Sequence, residues 1–192
     1  MQNSKLIIMN KIILYSLILI LSGCAVAGTL PSFKEKPEQS LVDGKGEFIE
    51  LFDGTIIEGK ISEVSNKVMA INGNNYHVKN IKSYQYKSEY RTTVKNRFIT
   101  RVVKGKINLY KMSISYPGNM YGSTASSRAG GSSTHYYIQK GDSAEIKYFD
   151  IKTLEEMVND NSKALYWVNE YKKLKKKNDS YLDYAIEAYN TN

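Results

Sequence analysis

The chain has 192 residues, 16 of them tyrosine, and a formal net charge of +8. A single cysteine rules out an intramolecular disulfide, and two histidines beside that one thiol leave out the usual zinc ligand sets. Folding must rest on burial of apolar side chains, and the basic excess points toward anionic partners.

Lys5 and Lys11 introduce an almost wholly apolar run from Ile12 to Leu21, broken by Tyr15 and Ser16. A basic start followed by a short apolar core is the pattern of a secretory signal. A run of about ten residues falls short of the roughly 20 that cross a bilayer as a helix. Met9-Asn10-Lys11 would serve as a shorter start. The run ends in Leu21-Ser22-Gly23-Cys24, which resembles the bacterial lipobox: an aliphatic residue, two small ones, then a cysteine. The resemblance implies that residues 1–23 are removed and that Cys24 carries diacylglycerol and an N-acyl chain, with no other cofactor expected. The plain alternative is an ordinary cleaved signal beside a chance cysteine. Two or three acyl chains anchor a protein stably where one binds reversibly.

Removal of residues 1–23 takes two lysines and no acid, which leaves a net charge of +6. At an envelope membrane the expected partners are anionic lipid headgroups or envelope polymers, with no nucleic acid. A merely solvated basic surface is the competing reading.

Residues 24–46 form the lipidated N-terminus and tether. Gly28, Pro31, Pro37 and Gly44, with Lys34-Glu35-Lys36, show little periodic hydrophobicity. Some 20 residues of coil reach roughly 25 Å. Residues 47–190 are expected to make one domain of about 145 residues.

The first part of that domain reads as β structure. Glu47 to Phe52 is a short apolar strand that runs into Asp53-Gly54, a strong hairpin signal. Thr55 to Val64 returns as a second strand, with Gly59 marking a bulge or sharp bend. Lys67 to Ile71 turns at Asn72-Gly73-Asn74-Asn75 into Tyr76 to Ile81. Tyr84, Tyr86 and Tyr90 then fall on one side of an extended segment, with Gln85, Lys87, Glu89 and Arg91 on the other. Arg97 to Ser115 continues through a turn at Lys104-Gly105-Lys106. Pro117 to His135 is rich in Gly and Ser and free of acids, which predicts a loop. Tyr136 to Gln139, a turn at Lys140-Gly141-Asp142 and Ala144 to Phe149 complete six to nine strands. An α+β fold follows: an antiparallel β meander, as a curved sheet or small barrel, then two to three C-terminal helices within residues 152–190.

Thr153-Leu154-Glu155-Glu156 fits a capping box at the first helix. Ala164, Leu165, Trp167, Val168, Tyr171 and Leu174 have helical periodicity, and Lys175-Lys176-Lys177 suit the negative end of that helix dipole. After Asn178-Asp179-Ser180, a third helix starts with Ser180 and Asp183 and offers Leu182, Ala185, Ile186 and Tyr189 for packing.

Two resemblances arise. Phe48 through Asp53-Gly54-Thr55, Glu58-Gly59-Lys60-Ile61 and Asn72-Gly73 resembles the first strands of small SH3-like or Sm-like barrels. No Sm-type nucleotide-binding motif follows, so RNA binding is not implied. Gly105-Lys106-Ile107-Asn108-Leu109-Tyr110, then Tyr136-Tyr137-Ile138-Gln139-Lys140-Gly141-Asp142 and the helical tail, resemble envelope lipoproteins of the Bacteroidetes that lack an established activity. Ala25-Val26-Ala27-Gly28 follows the cysteine in place of the Lys and acids associated with surface export, so a periplasm-facing outer-membrane lipoprotein is expected ahead of surface display.

Candidate chemistry is sparse. No catalytic residue and no metal ligand set is assigned. His77 reads as a solvated strand position. Ser132 or Ser133 with His135 and Asp142 would make a Ser-His-Asp set, but no nucleophile-elbow motif supports it, and a polar loop accounts for these residues. Asp183 and Glu187 share a helix face at i and i+4, as an exposed face also would. Tyr84, Tyr86, Tyr90, Tyr136 and Tyr137 are the candidate binding surface, since tyrosine offers a flat apolar face and a polar tip, and completion of a β core competes with that reading. Lys172, Lys173, Lys175, Lys176 and Lys177 are the candidate anionic-surface patch. The function expected is a membrane-anchored, non-enzymatic binding or accessory module for an envelope protein complex, with glycan binding or processing as the alternative.

Overall fold

A computed structural model describes residue 33 and residues 46–116, 131–176 and 178–191. The chain divides into two compact units. Met1–Leu30 lies outside the described residues, as do the proposed lipid-bearing Cys24, most of the tether, residues 117–130 of the expected loop, and Lys177. All that follows concerns the unit Pro31–Asn192.

The fold is α+β, with eleven strands in two antiparallel sheets followed by three α-helices among the described residues. The strands are β1 (Phe48–Leu51), β2 (Ile56–Glu58), β3 (Ile61–Val64), β4 (Val68–Ile71), β5 (Asn74–His77), β6 (Ile81–Tyr86), β7 (Glu89–Val94), β8 (Arg97–Val103), β9 (Ile107–Tyr116), β10 (Gly131–Lys140) and β11 (Lys147–Tyr148). The large sheet has the order β11-β10-β9-β8-β7-β6-β1-β2, and β3-β4-β5 form a small one. The sheet does not close into a barrel: β2 and β11 are its two edges. Three residues in one and two in the other keep both edges short, which limits pairing with other chains.

Gly59 is where the chain leaves the large sheet for the small one. The expected second strand, Thr55 to Val64, is two strands that belong to different sheets. Gly59 takes φ 150°, and a Cβ there would overlap the side chain of Asn72. That side chain closes over the bend: Lys60 N–H donates to Asn72 Oδ1 at 3.2 Å, and Asn72 Nδ2 donates to the Glu58 carbonyl at 2.8 Å. Glu47 fastens the same corner, with Oε2 accepting from Ile61 N–H at 2.7 Å and Oε1 from Lys87 N–H at 3.2 Å.

The turns differ in how far glycine marks them. Asn72-Gly73 is a two-residue turn with both φ positive, as its composition suggests. The β6–β7 turn uses Lys87 at φ 52°, and the β7–β8 turn uses Lys95 and Asn96 at φ 48° and 61°, without any glycine. The segment through Tyr84 and Tyr90 is therefore a hairpin and not one extended strand. The expected loop from Pro117 to His135 is also shortened, because residues 131–135 pair with 112–116 as the outer half of β10. Gly131 and Ser132 are exposed there, so the backbone ladder, and not side-chain burial, holds that half in place.

The helices are α1 (Ile151–Val158), α2 (Ser162–Lys173) and α3 (Ser180–Thr191). The cap of α1 is Asp150 and not Thr153. Asp150 Oδ1 accepts from Thr153 N–H at 2.8 Å, and Thr153 Oγ1 donates to Oδ2 at 2.8 Å, so Thr153 sits one turn inside. Asn161 caps α2 through Ala164 N–H at 3.0 Å. Leu154, Val158, Ala164, Val168, Tyr171, Leu182, Ala185, Ile186 and Tyr189 point inward and pack with Val102, Val103, Ile107, Leu109, Tyr136 and Ile138. A second cluster joins Ile49, Ile81 and Tyr84 of the large sheet to Ile61, Met69 and Ile71 of the small one. Because directly opposite residues of a ladder share a face, Tyr84, Arg91, Thr100, Lys111 and Tyr136 lie on one side of the sheet. The small sheet covers one end of that side and the helices the other.

The cap bonds of Thr153 hold the Asp150 carboxyl below the usual carboxylate range, and partial burial opposes them. A depressed folded-state value means that the stability from this cap is complete above the unfolded value of about 3.9 and is lost as pH falls through the lower folded value. Asp150→Ala should lower stability by about 1 kcal/mol near neutrality. The gap between variant and wild type should shrink in urea titrations repeated near pH 3.

Candidate functional site

The face of the large sheet opposite the helices carries a continuous polar and aromatic band. Phe48, Gln85 and Tyr90 are successive ladder partners, and so are Arg101, Tyr110, Tyr137 and Tyr148. The two halves meet where the Arg101 guanidinium lies 4.0 Å from the Tyr90 ring centroid. Arg101 is only 2% exposed. Beside the band, Tyr110 Oη donates to Gln139 Oε1 at 2.6 Å, and Gln139 Nε2 donates to the carbonyls of Asp142 and Ala144. Glu50 accepts from Lys82 Nζ and Ser83 Oγ, each at 2.6 Å. Burial raises the Glu50 carboxyl, and those two bonds more than offset it, so it lies below its ordinary value.

The five candidate tyrosines do not share a surface. The hairpin turn at Lys87-Ser88 pairs Gln85 with Tyr90 and Tyr84 with Arg91, which puts Tyr90 on the face opposite Tyr84 and Tyr86. Tyr84 is 3% exposed and stacks edge-on against Phe98 at 4.9 Å, and burial pushes its hydroxyl up. Tyr136 is buried against Phe33 at 4.8 Å. Tyr86 is half-buried beside the small-sheet core. Tyr90 and Tyr137 belong to the polar band.

His77 is exposed on β5. Ser133 Oγ lies 3.2 Å from His135 Nε2, and His135 Nδ1 lies 3.4 Å from the Tyr148 hydroxyl. Asp142 is elsewhere, where Oδ1 accepts from Asn108 Nδ2 at 2.8 Å. A neutral tyrosine cannot stabilise an imidazolium as a carboxylate does, so the third place of the Ser-His-Asp set is taken by the wrong chemistry. Asp183 and Glu187 stand on α3. Among the described residues no cluster of three His, Cys, Asp or Glu side chains could hold a metal ion. No described helix is long and apolar enough to cross a membrane.

A cavity of about 420 Å³ lies between the β10–β11 turn and α1, lined by Lys140, Ala144, Glu145, Lys147, Thr153, Glu156 and Met157. Lys140 is engaged structurally at its edge. Its Nζ donates to the Met157 carbonyl at 2.7 Å and to Asp160 Oδ2 at 3.1 Å, and Tyr189 Oη donates to the same Asp160 oxygen at 3.0 Å. Tyr189 and Asp160 hold the Lys140 ammonium above its usual value against the effect of burial.

Among the described residues, the most exposed aromatic cluster is on the helices. Trp167, the single tryptophan of the chain, has Tyr166 at 5.1 Å, Tyr184 at 5.1 Å and Tyr181 at 5.6 Å between ring centroids. Tyr166 and Tyr184 are 53% and 47% exposed, whereas Trp167 and Tyr181 are half-buried against the helical core. Helical spacing puts Lys163, Tyr166, Trp167, Glu170 and Lys173 along one stripe of α2. Of the candidate lysines, Lys172 is ion-paired with Glu155, and Lys173 Nζ donates to Glu170 Oε1 at 2.7 Å. Lys175 and Lys176 are exposed at the end of α2.

In the sequence Trp167 falls within the packing stripe of its helix, which hides the quartet. The signal was present in Tyr166 and Tyr184, which stand outside the apolar positions of their helices.

No protein-family model, curated protein or solved structure matches the chain.

Proposed function

We propose that the protein is a periplasm-facing outer-membrane lipoprotein, anchored through Cys24, whose folded domain is a non-enzymatic binding module for an envelope component. The anchor rests on the basic start, the short apolar run and Leu21-Ser22-Gly23-Cys24. The observation that carries the binding function is the aromatic quartet of Tyr166, Trp167, Tyr181 and Tyr184, in which Tyr166 and Tyr184 are exposed. Large aromatic side chains clustered at a surface lose favourable burial unless something covers them, and tyrosine and tryptophan are the residues most enriched where contacts form.

Two measurements in intact cells test the reading. Cys24→Ser should abolish fatty-acid labelling and leave the precursor uncut. Unchanged labelling sinks the anchor. A photo-crosslinking residue in place of Tyr184 should capture an envelope component, whereas one in place of Lys79, exposed in the turn after β5, should not. Equal yields from the two positions would remove the quartet from the contact surface.

A further inference from the structure

We propose that the quartet is a membrane-docking surface, and that it seats the domain on the anionic phospholipid headgroups of the membrane that holds the anchor. This inference rests on the tethered-lipoprotein reading and names what the quartet meets.

Three observations favour a lipid surface. The first is the ring chemistry. Tyrosine and tryptophan settle at the boundary between headgroup and hydrocarbon because each has an apolar body and a polar tip. Tyr166 and Tyr184 are exposed, and each ring centroid lies 5.1 Å from that of the half-buried Trp167, so one surface can cover the three together.

The second is charge. Lys163 lies one turn before Trp167 on the same stripe, and Lys175 and Lys176 follow at the end of α2. All three are exposed, and none makes an ion pair among the described residues. The acid on that stripe, Glu170, is taken up by Lys173. Each lysine brought to an anionic leaflet strengthens association roughly fivefold. Glu187, one turn after Tyr184 on α3, and Asp183 beside it bring negative charge to the same helix.

The third is chain length. Cys24 and Phe33, which is buried against Tyr136 and Phe149, are nine residues apart. At roughly 3.5 Å per residue, the point where the domain takes hold of the chain can never be more than about 30 Å from the anchor. A linker of this length raises the local concentration of the second site toward millimolar, so a surface of modest intrinsic affinity is occupied.

Trp167 is the probe, since the chain has no other tryptophan. The full chain, purified from membranes with its anchor, is placed in phosphatidylglycerol vesicles with brominated acyl chains and in matching phosphatidylcholine vesicles. Trp167 emission should shift to the blue and be quenched on phosphatidylglycerol, with much less effect on phosphatidylcholine. Lys175→Gln combined with Lys176→Gln should lower the ratio of docked to undocked protein by roughly 25-fold, and Glu187→Lys should raise it.

Unquenched Trp167 on a chain that stays vesicle-bound overturns the docking and leaves the anchor standing. A chain that does not remain on the vesicles overturns the anchor, while Trp167 quenching still reads the docking. Equal quenching on both lipids, insensitive to the lysines, overturns the electrostatic contact. Capture of a protein in place of lipid from position 184 assigns the quartet to that protein and overturns the proposal.

Discussion

Leu109→Ala should lower the unfolding free energy by about 3–4 kcal/mol. Leu109 is fully buried and pairs across the ladder with Ile138, itself fully buried. Both face the helices, and α3 meets β9, the strand that carries Leu109. The truncation removes the transfer energy of the lost carbons and leaves a void between two rigid layers. The sheet cannot fill it, because β8 and β10 hold β9 on both sides. Urea unfolding followed by circular dichroism should show a lower midpoint with an unchanged slope. A loss below about 1 kcal/mol would mean that the helices collapse onto the sheet more freely than this packing implies.

Gly59→Ala should cost about 3 kcal/mol by a different route. The new Cβ is strained at the positive φ that the bend already requires, and it displaces the Asn72 side chain from both of its backbone bonds. Asn72→Ala alone should cost about 1–2 kcal/mol, because it gives up those bonds and leaves the backbone of Gly59 unstrained. The two losses should be less than additive when combined, since the side chain that obstructs the Cβ is then gone. Strict additivity in equilibrium unfolding would show that Asn72 and Gly59 act independently.

Glycine at position 59 is legible as a bend, yet nothing local says that the chain changes sheets there. That outcome depends on Glu47 and Asn72, which lie 12 and 13 residues away in the chain and come close only in the folded state. The helices were legible because their apolar periodicity extends over two or three turns and their ends carry Asn161, Asn178 and the lysines. Thr153 and Glu156 also satisfy a capping pattern, which masks Asp150 as the cap in the sequence.

The turns at Lys87-Ser88 and Lys95-Asn96 left almost no trace, since lysine rarely adopts a positive φ and is held there only by the paired strands on both sides. The placement of the tyrosines depended on those turns. One unrecognised hairpin reversed the face of Tyr90 relative to Tyr84, and with it the proposed surface. The location of the quartet required knowing which turns of α2 and α3 adjoin, and helical periodicity within each segment does not carry that.

Asn190, in the last turn of α3, donates from Nδ2 to the Ile107 carbonyl at 3.0 Å and accepts from Ile107 N–H at 2.7 Å, while Gly105 leaves the space in which its side chain lies. These bonds join residues 83 positions apart, whereas β6 to β11 pair strand to next strand. Contacts between neighbouring segments close short loops and form early, and contacts of this separation wait for a finished partner. The tail is therefore a late latch on the β8–β9 turn. It governs how slowly the domain opens more than how quickly it assembles.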